Sequence, residues 1–203
     1  MRRVITAQDV PPSGELRVPI GTIVTPSARE VAQERGVRIL ELPEAELPSL
    51  APPGNTVAIG SDHRGFQLKE TLKTVILDMG FEPRDMGIFG DEAADYPDIA
   101  EKVAGAVMDG RAFRGVAIDG AGIGSSIAAN KLPGIRAALC YDKASARNSR
   151  EHNDSNVLTL GASLLTPSQA EEVLRTWLGT RFAGGRHAAR VEKIAQLERR
   201  YMK

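Results

Sequence analysis

The sequence predicts an α/β fold: a parallel sheet covered by helices on both faces, preceded by a small N-terminal extension. Three observations carry this expectation. From Thr56 onward, short apolar runs alternate with segments of helical periodicity. The runs are near-continuous, as in strands buried on both faces. Gly115 to Lys131 reads as a buried strand, a glycine-rich turn and a helix, with Asp119 where strand gives way to turn. Open α/β sheets place their chemistry at such a point.

The elements follow in order. Thr56–Gly60 is a short apolar strand. Phe66 to Met79 has helical spacing through Leu68, Leu72, Val75, Ile76 and Met79, and Gly80 stops it. Glu82 to Met86 reads as a second strand. Ile99 to Met108 reads as a helix, with Pro97 suited to its first turn. Val116 to Asp119 is the third strand. Ser126 to Asn130 opens a helix that Pro133-Gly134 ends. Arg136 to Cys140 is the fourth strand, Lys143 to Glu151 a helix, and Asn156 to Leu160 the fifth strand. Thr166 caps a helix with Pro167 at its first position, running to about Leu178. A last helix covers His187 to Arg200.

The proline-rich stretch 43–54 reads as a linker. It separates an extension, residues 1–42, from a domain at 55–203. In the extension, Leu16 to Val24 is extended with breaks. Thr25-Pro26-Ser27 starts a helix through about Arg35 that Gly36 closes, and Val37 to Leu40 reads as a strand. About 42 residues are too few for a robust core alone. The segment is expected to dock on its own domain, a neighbouring subunit or another protein.

The chain has 203 residues, enough for one good-sized core plus something smaller. Its 26 basic and 26 acidic residues balance, which gives no reason to expect nucleic acid or an acidic membrane surface as partner. A single cysteine, Cys140, excludes an intrachain disulfide and fits a reduced, cytoplasmic compartment. No apolar run is long enough to span a bilayer, and the first residues turn polar too soon for a signal peptide.

Four constellations are candidates for chemistry. Gly120-Ala121-Gly122-Ile123-Gly124 combines backbone freedom with helix N–H groups, a nest for a phosphate or oxyanion; a plain strand-to-helix turn is the alternative. Ser61-Asp62-His63-Arg64-Gly65 puts an acid, an imidazole and a guanidinium on the same sheet edge; its alternative is a solvated loop with a helix cap. His152 and Asn153 lie in a polar segment that reads equally as a helix end. Arg186 and Arg190, four apart, share a helix face and suit a phosphate, or form a solvated basic face.

Taken in order, Asp62-His63-x-Gly65, Asp95-Tyr96-Pro97, Gly120-x-Gly-x-Gly-x-x-Ile127-Ala128-Ala129-Asn130-Lys131, Ser149-Arg150-Glu151-His152-Asn153-Asp154 and Gly184-Gly185-Arg186-His187-x-x-Arg190 resemble the ribose-5-phosphate isomerase B family, which includes the two-subunit galactose-6-phosphate isomerase. The resemblance covers residues 56 to about 200. It implies a three-layer α/β/α, Rossmann-like fold with a five-stranded parallel sheet, no metal or organic cofactor, and a homodimer or dimer of dimers with shared active sites. It further implies aldose–ketose isomerisation of a phosphorylated sugar through an enediolate. His152 assists ring opening from the partner subunit, and the Gly120–Gly124 amides hold the developing charge. Arg186 and Arg190 grip the phosphate with His63, and Asp62 and Asn153 position hydroxyls.

The chain departs from the family where it matters. Asp119 stands where many members place a cysteine base. Ala121 replaces a hydroxyl residue, and Ser125 occupies the site of the glutamate some members use instead. Asp119 is the carboxylate left in the loop to act as base. An unperturbed Asp has a pKa of about 3.9 against about 8.5 for Cys. Burial is expected to raise it toward a useful value. Ribose 5-phosphate is the default substrate, with four- or six-carbon sugar phosphates open, as is a silent phosphosugar-binding protein. Leu16 to Glu30 and Glu34 to Val37 are similar to segments on bacterial microcompartment enzymes. This suggests recruitment to a shell or cargo protein through residues 1–42, inside a microcompartment.

Overall fold

The computed structural model describes residues 4–7, 10, 14–42, 55–90 and 92–202. The expected linker, 43–54, lies outside the described residues. The chain divides into two compact units, residues 1–52 and 53–203.

In the first unit, β1 (Val4–Ile5) pairs in parallel with β3 (Ile23–Val24), and β2 (Glu15–Pro19) with β4 (Arg38–Leu42). Helix α1 (Pro26–Glu34) starts under a Thr25 cap, whose side chain accepts the Ala28 N–H at 3.3 Å. Ile5, Val10, Val18, Val24, Ala28, Ala32 and Val37 form a small apolar cluster of its own. The sequence reading missed β1, since two residues carry no readable period.

The second unit is the expected α/β sandwich. Its strands are β5 (Thr56–Ser61), β6 (Glu82–Asp85), β7 (Arg114–Asp119), β8 (Ala137–Leu139) and β9 (Val157–Gly161). They form one sheet in the order β6-β5-β7-β9-β8, every pairing parallel. Between them run α2 (Phe66–Asp78), α3 (Tyr96–Met108), α4 (Ile123–Ala129) and α5 (Lys143–Asn153); α6 (Pro167–Gly179) and α7 (Arg186–Tyr201) follow.

Strand side chains alternate between two cores. Val57, Ile59, Val116, Ile118, Leu158 and Leu160 face Leu72 and Ile76 of α2 and Leu174 and Trp177 of α6. Ala58, Ala117 and Val157 face Ile99, Ala100 and Val103 of α3 and Ala129 of α4. Trp177 is fully buried, and its indole N–H donates to Ser155 Oγ at 2.8 Å. Lys69 is also fully buried; its Nζ is neutralised by Asp85 at 2.8 Å, the arrangement a buried charge requires.

Several boundaries differ from the sequence reading. Helix α3 begins at Tyr96, with Asp95 as N-cap, rather than at Ile99. Helix α4 begins at Ile123 rather than Ser126. Cys140 lies just past β8 rather than in it; burial pushes its thiol pKa up.

Candidate functional site

The chain leaves β5 for β6 on one side, then returns to the other side for β7. This is the topological switch point, and ligands bind beside the carboxyl ends of such strands. The loops after β5, β7 and β9 meet there.

Strand β7 ends at Asp119, only 4% exposed. Its carboxylate turns back into the glycine-rich turn. Oδ1 accepts the Ala121 N–H at 2.7 Å and the Gly122 N–H, while Oδ2 accepts the Ser125 N–H at 2.9 Å. These donors open α4, where backbone N–H groups lack helical partners. The bond to Ser125 is why the helix starts three residues earlier than its apolar pattern suggests. Gly122 holds φ at 76°, and a Cβ there would stand 2.6 Å from Leu139 Cδ1 and 2.8 Å from the Leu160 carbonyl carbon. At Gly124 a Cβ would meet the Tyr96 ring at 2.4 Å.

The acidity of Asp119 differs from expectation. Burial pushes its carboxyl up, but hydrogen bonds from Ser125, Gly122 and Ala121 outweigh it and hold the group below the usual carboxylate range. The expected upward shift is therefore corrected: desolvation is present, and the amides overcome it.

The β5 loop is tied to this turn. The Asp62 N–H donates to the Ile118 carbonyl at 3.1 Å. Asp62 Oδ1 accepts the N–H groups of Arg64 at 2.9 Å and Gly65 at 3.0 Å, fixing the entry into α2. His63 is exposed beside it. After β9, the Ala162 and Ser163 N–H groups donate to the carbonyls of Asp119 and Gly120 at 2.8 and 2.9 Å. The Tyr141 hydroxyl donates to the Ala121 carbonyl at 3.2 Å. Asp62, His63 and Gly120, Ala121, Gly122, Ile123 and Gly124 thus share one edge of the sheet.

His152, Asn153, Arg186 and Arg190 do not join them within one chain. Arg136 immediately precedes β8, at the amino edge. Its Nε donates to the Asn153 carbonyl at 3.1 Å and to the Asp154 carbonyl at 3.0 Å. The end of α5 therefore lies at the edge opposite Asp119. The His152 and His187 rings stack there, centroids 4.2 Å apart and planes 8° from parallel. His152 Nδ1 lies 2.9 Å from Asn148 Nδ2. Arg186 and Arg190 occupy the first turns of α7, both exposed. Burial, followed by the neighbouring His152, Arg186 and Arg190, lowers the His187 pKa. The cluster is cationic and open, suited to an anion.

Sequence reasoning named Arg64 only within its segment and missed Tyr141 and Ser163. Ser163 follows the carboxyl end of β9, so position alone could have signalled it. Among the described residues, no three or more His, Cys, Asp or Glu side chains gather as a metal site.

The family model described as Ribose/Galactose Isomerase matches residues 57–194. Ribose-5-phosphate isomerase B of Escherichia coli (strain K12) is 44% identical over 144 residues, 71% of this chain and 97% of that protein. D-erythrulose-4-phosphate isomerase of Pectobacterium atrosepticum is 40% identical over 144 residues, 70% of this chain and 95% of that protein. The structure of Clostridium thermocellum ribose-5-phosphate isomerase B matches with a TM-score of 0.70 at 49% identity, covering 72% of this chain and 99% of that one.

Because the folded-state pKa of Asp119 lies below its unfolded value, its ionised form stabilises the fold above about pH 4. That contribution fades as pH falls through the folded value. Urea denaturation should therefore find Asp119→Asn less stable than wild type at pH 7, with the gap closing toward pH 2. A gap independent of pH would contradict this account.

Proposed function

This chain belongs to the ribose/galactose isomerase family and is a sugar phosphate isomerase, and we propose that it converts ribose 5-phosphate to ribulose 5-phosphate with Asp119 as the proton-transfer base. The observation that carries this reading is the place of Asp119: a carboxylate at the carboxyl end of a central strand, inside a glycine turn, at the switch point. A relative named for D-erythrulose 4-phosphate makes a four-carbon substrate the first alternative, and a six-carbon sugar phosphate the next.

In this reading His152 of a second copy takes the C1 hydroxyl proton and passes it to the ring oxygen as the C1–O bond of the ring breaks and the C1 aldehyde forms. Asp119 then removes the C2 proton from the open aldehyde. The C–H electron pair forms the C1–C2 double bond, and the carbonyl pair moves onto O1, giving the enediolate. Asp119 returns the proton to C1 while the O2 proton passes to O1, leaving the ketone at C2. Carboxylates serve as bases in such isomerisations, as in triosephosphate isomerase. Arg186 and Arg190 hold the phosphate with His63, and Asp62 and Asn153 position the sugar hydroxyls.

One observation favours a second reading of Asp119. Three amide donors make it a weak base and a good clamp. In that reading it shapes the loop, and another group moves the proton. The two readings separate in one assay with C2-deuterated aldose phosphates of four, five and six carbons. If Asp119 is the base, ribose 5-phosphate turns over fastest, and Asp119→Asn loses roughly 10²–10⁴-fold in kcat together with deuterium exchange at C2. A variant that keeps kcat within tenfold assigns the clamp role.

The separation of the Asp119 loop from the basic cluster supports a homodimer, or a dimer of dimers, that brings the two edges together between copies. Co-expressed Asp119→Asn and His152→Asn chains should then regain about a quarter of wild-type activity through the one intact site of each mixed dimer. No recovery above the separate variants would exclude shared sites.

Residues 1–42 are assigned to docking on a microcompartment shell or cargo protein, with the second unit as the isomerase domain. Deleting residues 1–54 should leave kcat and oligomeric state unchanged and abolish co-localisation with shell proteins. Loss of activity or assembly would make the segment structural instead.

A further inference from the structure

We propose that Arg64 is a catalytic residue of this isomerase, binding the enediolate oxygen over Gly120; the inference rests on the Asp119 loop being the reaction site. Arg64 is exposed, at the end of the β5 loop. A Cβ built on Gly120 would lie 3.1 Å from Arg64 Cδ and 3.3 Å from its Nη1, with Ser163 Oγ at 3.7 Å. The guanidinium therefore lies across the first residue of the glycine turn. Its own backbone N–H is held by Asp62 Oδ1 at 2.9 Å, which fixes where the side chain departs. Arg64 forms no ion pair among the described residues. A cleft of about 230 Å³ lined by Arg64, Gln67, Thr71 and Ala162 opens alongside.

Charge balance gives this arginine its task. When Asp119 takes the C2 proton, one negative charge leaves the carboxylate and appears on the enediolate. The amides of Ala121, Gly122 and Ser125 point at the carboxylate, so they hold the charge where it starts. They cannot at the same time serve the substrate oxygen. A cation on the open side of the turn favours the charge where it arrives. A guanidinium is permanently ionised and offers a fork of N–H donors to an oxyanion. Preorganised donors at a developing oxyanion contribute roughly 10²–10³-fold in kcat. Asp119, with its amides engaged, and Arg64 form a compensating pair.

The test is steady-state kinetics of full-length Arg64→Ala and Arg64→Lys, with thermal melting to establish that both fold like wild type. Arg64→Ala should lose roughly 100-fold in kcat, with Arg64→Lys intermediate. Guanidinium ion added to Arg64→Ala should restore a substantial part of the loss, which a structural role would not allow. Inhibition by inorganic phosphate should keep its wild-type constant. Arg64→Ala within threefold of wild type, no rescue by guanidinium, or weakened phosphate inhibition would each overturn the proposal. Asp119→Asn measured alongside separates the failures. If Asp119→Asn is dead and Arg64→Ala unaffected, only the arginine proposal falls; if both are active, the reading of the loop falls with it.

Discussion

The carboxylate of Asp119 is the contact on which the site depends. Its three amide partners set the path of the turn, start α4 at Ile123, and require the left-handed backbone at Gly122. The Asp119 main-chain carbonyl accepts from Ala162, so the β9 loop is anchored to the same residue. A side chain that organises three loop amides has little freedom left, and its acidity follows from that engagement rather than from burial. An ordinary desolvated carboxylate would become more basic; this one is held more acidic.

The parallel sheet governs the rest. Because every strand runs the same way, residues after strands gather at one edge and residues at the ends of crossover helices gather at the other. The Asp62 and Asp119 loops fall at the first edge. His152, Asn153, Arg186 and Arg190 fall at the second, where exposed guanidiniums beside stacked imidazoles make a cationic surface. One copy of this fold separates the Asp119 loop from the cationic cluster, and the proposed shared site rests on that separation.

Family membership carries the reaction class. Asp119, the proposed base, and Ala121 lie within the glycine turn, and Arg64 lies over the same turn.

The sequence alone determined the fold class and the five parallel strands, and it named the candidate residues. Apolar runs, helical periods and caps such as Thr166 are local signals, and each is written in a few adjacent residues. Boundaries set by long-range bonds were less legible: α4 starts where Asp119 takes the Ser125 amide, and no periodicity records that bond. Only the tertiary structure decided which way Asp119 titrates, which edge each candidate occupies, and that Arg64 lies over Gly120. Those properties depend on where amides and side chains from separate segments converge in space, and a pKa or an edge is a sum over neighbours that the order of residues does not contain.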